Sequence, residues 1–243
     1  MTVNHYNNPD FFKKYSQMSR STQGLAGAGE WSELQKLLPD FTNKEVLDLG
    51  CGYGWHCKFA ADHGASHVVG IDVSQKMLAV AEAKNADEHI SYHCAAMEDL
   101  DYPDNHFDCV ISSLAFHYIA DFSLLVQNIT RWLRPNGTFV FSVEHPVFTA
   151  RGDQEWFYDA NGEKLHFPVD HYYEEGMREA VFLGETVQKY HRTLTTYLHT
   201  LLQAGLVITD VIEPQPPETM MQLPEMKDEL RRPMMLLVAA GNS

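Results

Sequence analysis

The chain has 243 residues, 44% of them hydrophobic, enough for one sizeable core, so a single elaborated domain is expected over two. Lys and Arg number 18 against 33 Asp and Glu, a formal charge of −15 with no Lys/Arg-rich run; such a chain repels phosphate backbones, which argues against a nucleic-acid partner. The apolar run at 234–240 is far too short to span a bilayer, the polar start Met1-Thr2-Val3-Asn4-His5-Tyr6 lacks a signal-peptide core, and Cys51, Cys57, Cys94 and Cys109 form no close pair, so free thiols in a reducing cytoplasm are expected.

In chain order, Phe11, Phe12, Tyr15 and Met18 lie at helical spacing and predict a short amphipathic helix over 9–19. The glycine-rich stretch 24–29 reads as a flexible connector. Trp31, Leu34, Leu37 and Leu38 mark a helix that ends at Pro39. A strand over 46–49 runs into Gly50-Cys51-Gly52-Tyr53-Gly54, then a helix to about His63, then a second strand over 67–72 that terminates in Asp72. Ser74 is the expected N-cap of a helix carrying Met77, Leu78, Val80 and Ala81, and a third strand follows at 90–94. The fourth strand is 107–113. Asp121 should cap a helix that places Phe122, Leu125, Val126, Ile129, Trp132 and Leu133 on one face, followed by a turn at 134–137 and a fifth strand at 138–144. Strands alternating with helices imply a mostly parallel sheet with its ligand at the carboxyl edge.

Residues 145–190 break that rhythm. They are rich in aromatics, including Phe148, Trp156, Phe157, Phe167, Tyr172 and Tyr173, and have the length of a lid or substrate pocket; the alternative is a surface excursion with its own aromatic cluster. One or two extra strands are expected within 179–190. A helix over 193–204 ends at Gly205, a sixth strand spans 206–212, and a proline-rich connector leads to a last strand over 234–240.

The glycine turn and Asp72 carry the chemistry. Glycine permits a sharp bend and close approach of backbone to a ligand. Asp72 lies 20 residues beyond Gly52, which in a parallel sheet sets its carboxylate beside the turn, where it can accept both hydroxyl protons of a ribose. A dinucleotide fingerprint is Gly-x-Gly-x-x-Gly, but here the third position holds Trp55, whose indole would obstruct the helix–strand contact a glycine allows. Asp48, just before the turn, would repel a pyrophosphate and attract a cationic amino-acid group.

Asp48-Leu49-Gly50-Cys51-Gly52-Tyr53-Gly54 with Gly70-Ile71-Asp72-Val73-Ser74 resembles the first two motifs of the class I S-adenosylmethionine-dependent methyltransferases, particularly their small-molecule branch. The likeness covers roughly residues 40–145. It implies a doubly wound, Rossmann-like α/β sheet of seven mostly parallel strands with an antiparallel last strand, S-adenosylmethionine as cofactor, and a small-molecule methyl acceptor. It implies one domain over 1–243: an N-terminal helical lid at 1–30, a cofactor-binding core at 40–145, an insertion after the fifth strand at 145–190 and a C-terminal unit at 191–243. By the resemblance Gly50, Cys51 and Gly52 cradle the cofactor, Val73 and Met77 line its adenine–ribose side, Ala96, Met97 and Glu98 hold the adenine edge, and Ser113 and Leu114 approach the sulfonium. Tyr15 and Arg20 are expected to face the methionine end; the alternative is a packing tyrosine and a solvated arginine.

Methyl transfer needs alignment and exclusion of water, so no compact catalytic motif is expected. If a base assists, the candidates are His117, His145 and His191, with His145 ranked first because it opens the aromatic insertion, His191 second, and His117 expected rather to order the cofactor. His166 and His171 lack the context of metal ligands, and no metal is expected. The two other readings are a non-catalytic S-adenosylmethionine-binding scaffold and, disfavoured by Trp55, a dinucleotide-dependent oxidoreductase.

Overall fold

The computed structural model describes residues 5–242; the reading of residues 1–4 lies outside them. Seven strands make one sheet: β1 Glu45–Leu49, β2 His67–Asp72, β3 Ile90–Cys94, β4 Phe107–Ser113, β5 Leu133–Glu144, β10 Leu206–Ile212 and β11 Met235–Asn242, in the order β10-β11-β5-β4-β1-β2-β3. β3, β2, β1, β4 and β5 pair in parallel, whereas β11 runs antiparallel to both β5 and β10. The remaining strands form two hairpins, β6 Phe157–Tyr158 with β7 Lys164–His166 and β8 Gly176–Phe182 with β9 Glu185–His191.

The inner parallel strands β1, β2 and β4 are covered on both sides, which is why they read as largely apolar runs, whereas the edge strand β3 is partly exposed. Alternate residues serve opposite faces. Leu47, Val69, Val110, Phe139 and Phe141 join a core closed by helices α6 Phe122–Trp132 and α8 Leu194–Gln203. Val46, Val68, Cys109 and Ile111 face the other way, with Phe41, Ala60 of helix α4 Trp55–Asp62 and Leu78 of helix α5 Gln75–Lys84. Every expected inward residue of α6 from Phe122 to Trp132 is buried, Asp121 caps it by accepting from Leu124 N, and Ser74 caps α5 by accepting from Met77 N. Helix α3 Trp31–Leu37 packs Leu34 against Val140, Leu237 and Ala239.

Three expectations change in detail. The turn at 134–137 lies inside β5: pairing steps from Phe107↔Leu133 to Cys109↔Thr138, so these residues bulge from the ladder, with Asn136 at φ 63° supplying the left-handed bend. The N-terminal helix splits into α1 Pro9–Tyr15 and α2 Ser19–Thr22. The glycine stretch is no loose connector. Residues Gly24–Gly27 form a 3-10 turn with both end glycines buried, and a Cβ on Gly27 would fall 2.2 Å from Ser19 O.

The N-terminal segment and the insertion meet over the sheet's carboxyl edge. Phe11, fully buried, packs with Ala180, Val187 and Phe182 of the β8–β9 hairpin, Lys14 Nζ donates to Leu183 O at 2.8 Å, and Ser74 Oγ donates to Asn7 Oδ1 at 2.8 Å. Two short helices, α7 Pro146–Thr149 and α9 Pro224–Glu229, complete the chain.

Candidate active site

Beneath that roof lies a cavity of about 280 Å³. It opens on the carboxyl ends of β2, β4 and β5, where Asp72, Ser113 and Glu144 line it. Three strand spacings, roughly 14 Å, separate the end of β2 from the end of β5.

The β2 end is made by backbone. Gly50 sits at φ 78° and a Cβ there would lie 2.5 Å from Ala115 Cβ, so only glycine leaves this wall open. Asp72 Oδ2 accepts from Gly52 N at 2.9 Å and Oδ1 from Ser74 N at 2.8 Å, which fixes the carboxylate beside the turn as the spacing implied. Burial raises its pKa to about 6 against the two backbone donors, which lower it. Val73, Met77, Ala96, Met97 and Glu98 line the same end.

Trp55 does not block a helix–strand contact. Its ring turns to the N-terminal segment, where a Cβ on Gly24 would meet it at 3.1 Å. The close approach of α4 to the sheet is at Gly70, whose Cβ would lie 2.9 Å from Cys57 Sγ.

Tyr15, Arg20, Leu114 and His117 also line the cavity. Arg20 Nη2 donates to both carboxylate oxygens of Glu30, at 2.8 and 2.9 Å, and Glu30 is almost wholly buried. Burial pushes the Glu30 carboxyl up, but Arg20 outweighs it and holds the pKa below the usual carboxylate range. Arg20 is therefore presented by a partner rather than solvated.

Four expected site residues stand outside the cavity lining. Asp48 is buried below the turn, its Oδ2 accepting from Cys57 Sγ at 3.2 Å, and burial raises its pKa to about 7; Cys51 is buried beside it. His145 and His191, the expected bases, do not line the cavity. His145 caps α7, its Nδ1 accepting from Val147 N at 3.0 Å, with Nε2 2.8 Å from Glu213 Oε1. His191 is fully buried between Thr149 Oγ1 at 2.8 Å and Tyr172 O at 2.9 Å. Both nitrogens of His191 and Nδ1 of His145 are engaged by structure, and His145 Nε2 faces the Glu213 carboxylate, which proximity in sequence to a strand end does not reveal.

Sequence reasoning missed Tyr6, Tyr118, Glu144 and Gln188, all on the cavity. Glu144 was findable by the rule that flagged Asp72, as an acid on the last residue of a parallel strand. Tyr6 and Gln188 carry no local signal, because chain-distant packing brings them there. Among the described residues no cluster of three His, Cys, Asp or Glu could hold a metal ion, and no helix is long and apolar enough to cross a membrane.

A glycine-walled bend with an acid fixed beside it, at the carboxyl edge of a sheet with one reversed strand, fits a nucleoside whose ribose hydroxyls need an acceptor. Residues 47–141 match the methyltransferase domain family. The fold superposes on a crystal structure from Listeria monocytogenes assigned as an S-adenosylmethionine-dependent methyltransferase, with TM-score 0.87 and 54% identity over 90% of this chain and 99% of that one. An S-adenosylmethionine-dependent methyltransferase from Mesorhizobium loti gives TM-score 0.83 and 43% identity over 90% and 100% of the two chains. Phosphoethanolamine N-methyltransferase 1 of Arabidopsis thaliana is 34% identical over 124 residues, half of this chain but only 25% of that longer protein. The chain belongs to the S-adenosylmethionine-dependent methyltransferases. It is an enzyme of the class I, Rossmann-like type with S-adenosylmethionine as its cofactor, which displaces the scaffold and oxidoreductase readings.

Proposed function

We propose that the enzyme methylates a small molecule inside the roofed cavity, with the cofactor's nucleoside at the β2 end. The observation that carries this is the single cavity joining Asp72 to Glu144 under the N-terminal segment and the β8–β9 hairpin. A space of about 280 Å³ covered on its open side suits a small acceptor better than a protein or nucleic-acid chain. The cofactor supplies an electrophilic methyl group.

In this reading the Asp72 carboxylate accepts the ribose hydroxyls, and Gly50 and Gly52 let the backbone approach. Met77 and Met97 give soft surfaces for the purine, with Val73, Ala96 and Glu98 around its edge. Arg20, oriented by Glu30, pairs with the methionine carboxylate beside Tyr15. Ser113 and Leu114 stand where the sulfonium would lie. Residues 5–30 act as a lid that excludes water. The small-molecule activity in the name of the Arabidopsis relative agrees with this acceptor class.

Calorimetry with Arg20→Met tests the orientation. S-Adenosylhomocysteine should bind about 10–100-fold more weakly, the cost of a lost charge-assisted contact, while 5′-methylthioadenosine, which lacks the carboxylate, should bind as to the parent protein. Equal losses for both ligands would overturn the assignment of Arg20 to the methionine end.

A further inference from the structure

The glycine bend contains one glycine that the cofactor reading leaves unexplained. Gly50 and Gly52 line the cavity, but Gly54, at φ 74°, does not. What lies against Gly54 is Tyr92 of β3. A Cβ on Gly54 would run into the Tyr92 hydroxyl, and a Cβ on Gly70 would lie 2.8 Å from Tyr92 Cδ1. Tyr92 thus fills the space under the bend that these two residues leave. Its hydroxyl donates at 3.0 Å to the backbone carbonyl of Asn85, the residue just past α5. Asn85 is only 3% exposed, and its side chain turns back to the bend, where Nδ2 donates to Tyr53 O at 2.7 Å.

Hydrogen bonds hold the bend at both ends. Gly50 N and Cys51 N donate to Ile71 O, at 2.8 and 2.9 Å, and Gly52 N donates to Asp72, so β2 holds the first half. Asn85 holds the second half from 32 positions further along the chain. Glycine at 50, 52 and 54 gives the bend much chain entropy to lose on ordering, so the far hold matters. The Tyr53 ring stands on the roof side of the bend: it meets Tyr15 at 5.9 Å and Phe12 at 6.1 Å between ring centres. A bend displaced at Tyr53 would move the Gly52 amide on one side and the N-terminal segment on the other.

We propose that Asn85 is a positioning residue for the cofactor: its carboxamide holds the bend so that the Gly52 amide meets Asp72 and sets that carboxylate for the ribose. This rests on the placement of the nucleoside at the β2 end proposed above, and it adds a residue that does not itself line the cavity. Tyr53 is only 5% exposed, so removing the carboxamide leaves a buried carbonyl without that donor. The bend relieves the cost by shifting, and the Gly52 amide shifts with it, away from Asp72 Oδ2.

The test is calorimetry on the full chain with S-adenosylhomocysteine and 5′-methylthioadenosine, in the parent, in Asn85→Ala, in Asp72→Ala and in the double variant. N85A should weaken both ligands alike by about tenfold, the scale of one buried hydrogen bond, because both carry the ribose. In the D72A background the same change should cost less than about threefold, because the group through which Asn85 acts is gone. A merely structural role would cost as much in either background. If N85A does not fold, Tyr92→Phe carries the test: removing the hydroxyl on Asn85 O should weaken both ligands about fivefold in the parent background and less than about twofold in D72A.

Affinities of N85A within about threefold of the parent for both ligands, or of Y92F within about twofold where it carries the test, would overturn the proposal. So would a loss confined to S-adenosylhomocysteine, or losses that simply add in the double variant. Failure of the parent protein to bind S-adenosylhomocysteine, or unchanged affinity in D72A, would instead overturn the placement of the nucleoside beneath it.

Discussion

Where β1 and β2 finish, the cavity wall is made of backbone: a bend of glycines, amides donating to Asp72, and one acid at a fixed offset along the chain. Where β5 finishes, the wall is made of side chains from five separate stretches, with Tyr6, His117, Glu144, Phe182 and Gln188 among them. In the proposed reading the first end takes a part of the cofactor that does not vary and needs little but close approach. In the same reading the second would suit one acceptor, and side chains are what can be exchanged without disturbing the sheet. The lesson is that one end of this cavity is fixed by the chain's local order and the other by tertiary contact.

The comparison is tested most severely at Asp72. Asp72→Asn keeps the shape but removes the charge that two ribose hydroxyls would meet, so S-adenosylhomocysteine should bind about 100-fold more weakly by calorimetry, a loss of about 3 kcal/mol. The parent protein offers the same test through pH. Because the Asp72 pKa is raised to about 6, the accepting carboxylate is present above that pH and protonated below it. Affinity should therefore hold from pH 8 to 7 and decline below 6, by up to about tenfold per unit. A flat profile in the parent, or no loss in D72N, would mean that the ribose is held elsewhere.

A smaller effect is expected at the bend. Gly50→Ala combines a φ of 78° with a contact 2.5 Å from Ala115 Cβ, whereas Gly162→Ala meets a similar φ of 84° with nothing within 4 Å. Both should lose about 1 kcal/mol or more in denaturant unfolding from backbone strain, and G50A a further 1–3 kcal/mol from overpacking, with weaker S-adenosylhomocysteine binding. Equal stabilities for the two variants would show that the wall at Gly50 yields.

The smallest effect separates structure from chemistry in the histidines. His145→Ala removes the cap of α7 and should cost about 1 kcal/mol of stability while leaving S-adenosylhomocysteine affinity unchanged. A loss of affinity there would return His145 to the site from which its hydrogen bonds now exclude it.

What was legible follows the same division. The strand–turn–helix–strand unit, the caps at Ser74 and Asp121, and the place of Asp72 could be read because each depends on residues near one another in sequence. The separate places of His117, His145 and His191 could not, since all three lie near strand ends and only packing sets His117 on the cavity and the other two away from it. Trp55 was judged an obstacle because a sequence does not say which way a side chain turns.

By itself the sequence determined the alternation of strands and helices, the glycine bend and the acid opposite it, because hydrophobic period, turn chemistry and a fixed offset are local properties of the chain. Only the tertiary structure decided that the N-terminal segment and the β8–β9 hairpin share a core around Phe11, that Arg20 is held by Glu30, and that His117 and Glu144 face one space. Those contacts join residues 10 to 176 positions apart, and burial of apolar surface, which ignores sequence distance, brings most of them together.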